Sequence, residues 1–95
     1  MKQTIQVSAV VGERPTTAEE AAALCRMIEE ARAGQIVLDF AGVHSLGPAF
    51  AIEYMERKEI CTKIISEINL SFWVQKAVDD AVSELQAPEI HALFL

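Results

Sequence analysis

Histidine, cysteine and tryptophan are scarce in this chain, with two, two and one among 95 residues. Cys25 and Cys61 fall in different predicted elements without a CxxC spacing, and His44 and His91 lie far from both, so the ligand spacing of a zinc site is missing. No metal and no cofactor is expected, and the cysteines should stay reduced and behave as small hydrophobes. Glycine is also rare. The turn after the first predicted strand, Gly12-Glu13-Arg14-Pro15, has one glycine beside a carboxylate, which argues against a Rossmann-type pyrophosphate turn. Basic residues are outnumbered, eight against fourteen acidic ones, and the formal charge of −6 repels nucleic acid phosphate and anionic lipid. No apolar run approaches the roughly 18 to 20 residues that span a bilayer. Met1-Lys2-Gln3-Thr4 leads straight into a strand-like pattern, so a cytoplasmic location is expected.

What is present is an ordinary globular composition, 52% apolar and 23% charged, with room for one domain over residues 1–95. Ile5, Val7, Ala9 and Val11 alternate as in a strand, which ends at Gly12 to Pro15. Thr17 followed by Glu20 is a capping box. It opens a helix whose apolar positions are Ala21, Leu24, Cys25, Ile28 and Ala31, with Gly34 as its stop. Ile36-Val37-Leu38-Asp39-Phe40 is too short for a helix and suits a strand at the centre of a sheet. After a loop over Ala41 to Gly47, Pro48 suits the first turn of a helix running to about Glu59. Thr62 to Ser66 reads as a third strand. Asn69-Leu70-Ser71 then offers caps for a helix with the stripe Val74, Ala77, Val78, Ala81, Val82 and Leu85. Pro88 is expected to break that helix and leave Glu89 to Leu95 as a terminal strand. The predicted class is α/β, in the order β-α-β-α-β-α-β: a four-stranded, mostly parallel or mixed sheet packed with three helices.

Few side chains carry chemistry. His44-Ser45 is the one local pair of base and hydroxyl, and adjacent residues rarely face each other productively. Asp39 interrupts an apolar strand near its C-terminal end, where α/β proteins place ligand and partner sites. Its simpler role is to accept N–H groups of the Gly42 to Gly47 loop and hold that loop in shape. Trp73 lies off the apolar stripe of its helix and is expected to be partly exposed, as an interface aromatic or as the edge of a core.

The run Ile36-Val37-Leu38-Asp39-Phe40-Ala41-Gly42-Val43, followed by Leu46-Gly47-Pro48-Ala49-Phe50 at a helix start, resembles the central motif of the STAS superfamily, in particular a prokaryotic STAS-like domain family of unassigned function. The order of elements extends the likeness over nearly the whole chain. The resemblance implies a bacterial regulatory binding module without catalytic machinery. It also implies a protein partner such as an anti-sigma factor or a histidine-kinase-like ATPase. The anti-sigma-factor antagonists of that superfamily are switched by phosphorylation of a serine at the start of the second helix. Here that position reads Gly47-Pro48-Ala49, with no hydroxyl, and Ser45 does not align with the switched serine.

Three functions follow as expectations. The first is protein–protein interaction through Val43, His44, Ser45, Gly47, Pro48, Ala49 and Phe50, with Trp73. The second is a small-ligand site or enzyme built on Asp39, His44 and Ser45. The third is a subunit of a homo-oligomer, joined through the terminal strand with Ile90, Leu93, Phe94 and Leu95, or through a sheet face that the helices leave uncovered.

Overall fold

The computed structural model describes residues 1–93, with side chains to residue 86. It is a small α/β domain. The elements are β1 (Lys2–Gln6), α1 (Val7–Val11), α2 (Ala18–Glu30), β2 (Gln35–Asp39), α3 (Pro48–Ile60), β3 (Ile64–Ile68) and α4 (Phe72–Leu93). The strands pair in parallel in the order β1-β2-β3, with Ile5 beside Leu38 and Ile36 beside Ile65.

Three sequence expectations are corrected. The first strand stops at Gln6, and Val7 to Val11 coil into α1. Those residues satisfy two periods at once. Val7, Ala9 and Val11 would share one side of a strand, but Val7, Val10 and Val11 also stand at i, i+3 and i+4, and the helical choice puts all three against the core while Ala9 faces water. Gly12 closes the turn at φ 84°, its N–H bonding to the Ser8 carbonyl at 2.9 Å. The third strand is displaced by two residues, because Ile64 donates its N–H to Gly34 O and so sets the pairing with β2. The fourth strand is not formed over residues 89–93, which continue α4 through Pro88. Proline removes one helical hydrogen bond, whereas Glu89, Ala92 and Leu93 are strong helix formers. Phe94 and Leu95 lie outside the described residues.

The capping box of α2 is formed: Glu20 donates its N–H to Thr17 Oγ1 at 3.1 Å, and Glu20 Oε1 accepts from the Thr17 N–H at 3.0 Å. Glu20 also accepts from the Thr16 N–H, and these bonds, the Thr17 N–H above all, hold its carboxyl below the usual range. The helix ends before Gly34, at the cap residue Ala31, and Gly34 is not in the left-handed region.

The connections decide which face of the sheet is covered. Both crossovers advance in one direction, β1 to β2 to β3, and right-handed crossovers that advance in one direction place α2 and α3 on the same face. Ile5, Ile36 and Leu38 point to that face and are buried with Leu24, Ile28, Phe40, Phe50, Tyr54 and Val74. Among the described residues no element covers the opposite face, and Ile64 and Ile68 on it are 63% and 42% exposed. Since the strand order never reverses, the sheet has no topological switch point among the described residues, and such a point is where open α/β sheets form their ligand crevice.

Candidate functional site: the strand-end loops and the start of the third helix

Asp39 ends β2 at the C-terminal edge of the sheet, and its carboxylate ties three chain segments together. Oδ1 accepts the Ala41 N–H at 2.9 Å and the Asn69 Nδ2 at 2.9 Å, while Oδ2 accepts from Gln6 Nε2 at 3.0 Å. Gln6 ends β1, and Asn69 follows β3 at φ 58°, a left-handed conformation that asparagine tolerates. The Asn69 amide above all, then the Ala41 N–H and Gln6, hold the Asp39 carboxyl below its usual range against a smaller opposing effect of burial. Asp39 thus organises the strand ends. It does so through Ala41 and two side chains instead of the N–H groups of residues 42 to 47.

The loop from Ala41 to Gly47 is clasped to the loop that precedes α2. His44 donates its N–H to Glu13 O at 2.8 Å, and Gly47 donates its N–H to Pro15 O at 2.9 Å. Gly47 is required there by space. A Cβ at that position would lie 2.8 Å from Thr16 Cα, although its φ of −69° is one any residue adopts. Gly47 is also the N-cap of α3, with Pro48 in the first helical position as expected.

Of the residues expected to meet a partner, Val43 and Phe50 are in the core, at 3% and 0% exposure, and present no surface. Val43 follows the tight turn in which it bonds to Phe40 O, and Phe50 stacks on Tyr54 with ring centroids 6.3 Å apart. His44, Pro48 and Ala49 are exposed, Ser45 and Gly47 half-buried. Trp73 is 63% exposed and packs edge-on against Phe72, itself 71% exposed, at 5.1 Å.

Two features lie outside the sequence expectations. Between α3 and α4 lies a shallow groove of about 170 Å³, lined by Leu46, Pro48, Ala51, Ala77 and Ala81 with Asp80 and Glu84 at its rim. Trp73 stands one turn before Ala77 on the same side of α4. The exposed start of α3 and the exposed aromatic therefore flank one continuous surface. The second feature is Glu67, which sits on the helix-facing side of β3, where it accepts from the Tyr54 hydroxyl and pairs with Lys58 at 3.2 Å. Its parity with Ile65 in the strand was the signal. Burial, with the Glu67 carboxylate close by, raises the pKa of Tyr54, so the hydroxyl stays a donor.

Comparison with protein-family models, with curated proteins and with solved structures finds no match to this chain. Asp39, His44 and Ser45 are not brought together: among the described residues no hydrogen bond joins them, and the His44 imidazole lies 3.6 Å from Glu13 instead. Cys25 is buried and free, and that burial pushes its thiol up to about 11, which keeps it protonated near neutrality. Cys61 is free and half-buried. No group of three or more metal-ligating side chains occurs among the described residues, and no helix among them is long and apolar enough to cross a membrane.

Proposed function

We propose that this chain is a non-catalytic, cytoplasmic regulatory module of STAS-like type that binds a protein partner, either a histidine-kinase-like ATPase or an anti-sigma factor. The observation that carries the reading is the fixed presentation of the α3 start: His44, Pro48 and Ala49 face solvent on a loop held by two backbone hydrogen bonds to its neighbour. A partner meeting this surface encounters a rigid platform, so little ordering entropy opposes binding. Exposed Trp73, one turn before the groove residue Ala77, supplies an aromatic anchor. The single winding of the sheet, without a switch point, favours a protein partner over a small ligand. With Gly47-Pro48-Ala49 at the helix start, binding is not switched by a phosphoserine there.

The test is a titration of the 15N-labelled chain with a histidine-kinase-like ATPase domain or an anti-sigma factor from the same genome. His44, Ala49 and Trp73 should shift, and Ala49→Glu should weaken binding about tenfold or more, since a carboxylate would enter a desolvated contact. Binding by Ala49→Glu as tight as wild type, with an unchanged circular dichroism spectrum, would remove the α3 start from the interface. Failure of the chain to bind any such protein would remove the regulatory reading.

A further inference from the structure

We infer that the open face of the sheet is a self-association surface whose occupant is the same face of a second copy of this chain. The pairing register turns that face into a grid of nine outward side chains in three rows: Lys2, Gln35 and Ile64; Thr4, Val37 and Ser66; Gln6, Asp39 and Ile68. None of the nine is buried within the chain. On a protein of formal charge −6, this grid holds one cation and one anion and is neutral. Two such faces therefore add no local repulsion to that between the two chains' net charges.

The pattern is also self-complementary under one two-fold rotation. An axis lying in the interface, across the strands and through the middle row, sets each strand over its own copy with direction reversed. Val37 then faces Val37, Thr4 faces Thr4 and Ser66 faces Ser66. Ile64 faces Ile68, in both copies. Lys2 falls over the end of β1, about one strand spacing, 4.8 Å, from the point opposite Asp39 of the other copy. The other in-plane axis, along the strands, sets Lys2 against Ile64 and Gln6 against Ile68, burying polar groups on apolar ones without partners. Charge and apolar pattern therefore select the same geometry.

Size sets the strength. Three strands of five residues give a flat footprint of about 250 Å² from strand spacing and rise, well below the about 800 Å² per partner of a stable interface. The association is weak and depends on concentration. It is independent of the α3 surface, which lies at the strand ends and on the helical side of the sheet.

The experiment is sedimentation equilibrium of the wild type from about 20 μM to about 1 mM, a range that spans weak dissociation constants. The weight-average mass should climb from 10.4 kDa toward the dimer. Lys2→Glu, which gives the face two anions and no cation, and Ile64→Lys should each shift the midpoint at least tenfold upward. Lys76→Glu makes the same change in net charge on α4 and should leave the midpoint where it was. Filtered nuclear Overhauser contacts between labelled and unlabelled copies should join Ile64 to Ile68. A mass constant at 10.4 kDa, a rise that both face variants share with wild type, or intermolecular contacts confined to the helices would each overturn the inference. A circular dichroism spectrum for each variant establishes that it is folded, and Lys2, exposed at the start of an edge strand, keeps the test valid should Ile64→Lys fail to fold.

Discussion

Adding one methyl group at Gly47 and one at Gly34 should change stability in opposite directions. Neither glycine has a left-handed φ, so alanine suits the backbone at both. At such positions Gly→Ala stabilises a protein by about 0.4–1 kcal/mol, mainly by restricting the unfolded chain. Gly34 has nothing within 4 Å of the added Cβ, and Gly34→Ala should show that gain. At Gly47 the Cβ would stand 2.8 Å from Thr16 Cα and 3.0 Å from Thr16 O, both backbone atoms. They can yield only if the loop moves, and that movement stretches the bond from the Gly47 N–H to Pro15 O. Overpacking of this kind costs about 1–3 kcal/mol. Alanine is also a poorer N-cap than glycine by some tenths of a kcal/mol, which adds to the loss. The net expectation for Gly47→Ala is a destabilisation of about 0.3–3 kcal/mol, since the gain from the unfolded state offsets only part of the loss. Urea unfolding followed by circular dichroism measures both variants against wild type. A Gly47→Ala protein as stable as wild type would mean that the two loops are not clasped as described, and the rigid presentation of Pro48 and Ala49 would go with them.

Two further outcomes are expected. Leu38→Ala should cost about 2–5 kcal/mol in the same assay, because a wholly buried side chain leaves the central strand; a loss under about 1 kcal/mol, typical of surface sites, would contradict the placement of Leu38 in the core. The Asp39 carboxyl titrates below its unfolded value, so its stabilising effect is complete above about pH 4 and is lost as pH falls through the lower folded value. The stability difference between wild type and Asp39→Asn, measured from neutral pH downward, should therefore shrink below about pH 4; a difference constant down to about pH 2 would exclude a preferentially bound carboxylate.

What could be read from the sequence was whatever rests on near neighbours. Thr17 and Glu20 make a capping box because both partners lie within one turn, and Pro48 begins α3 because its fixed φ and missing N–H suit that position wherever it occurs. Ile36 to Asp39 form a strand because an apolar run that short, following a helix stop, has few alternatives. Asp39 stood out because it breaks that run, and exposed Trp73 because it misses its helix stripe.

Other features depended on groups far apart in the chain. Val7 to Val11 fit either period, and the core beneath them chose the helix. Val43 and Phe50 belonged to a motif that looked like surface, yet the turn at Phe40 and the ring of Tyr54 draw them inside. Gly47 reads as an ordinary loop glycine until Thr16 is placed 2.8 Å from its missing Cβ. The neutral grid on the open face exists only once the register between strands is known, since a shift of one residue would turn each side chain to the opposite side of the sheet. Local propensity is encoded in adjacent residues, whereas burial, close approach and charge juxtaposition arise from pairs that only the folded chain brings together.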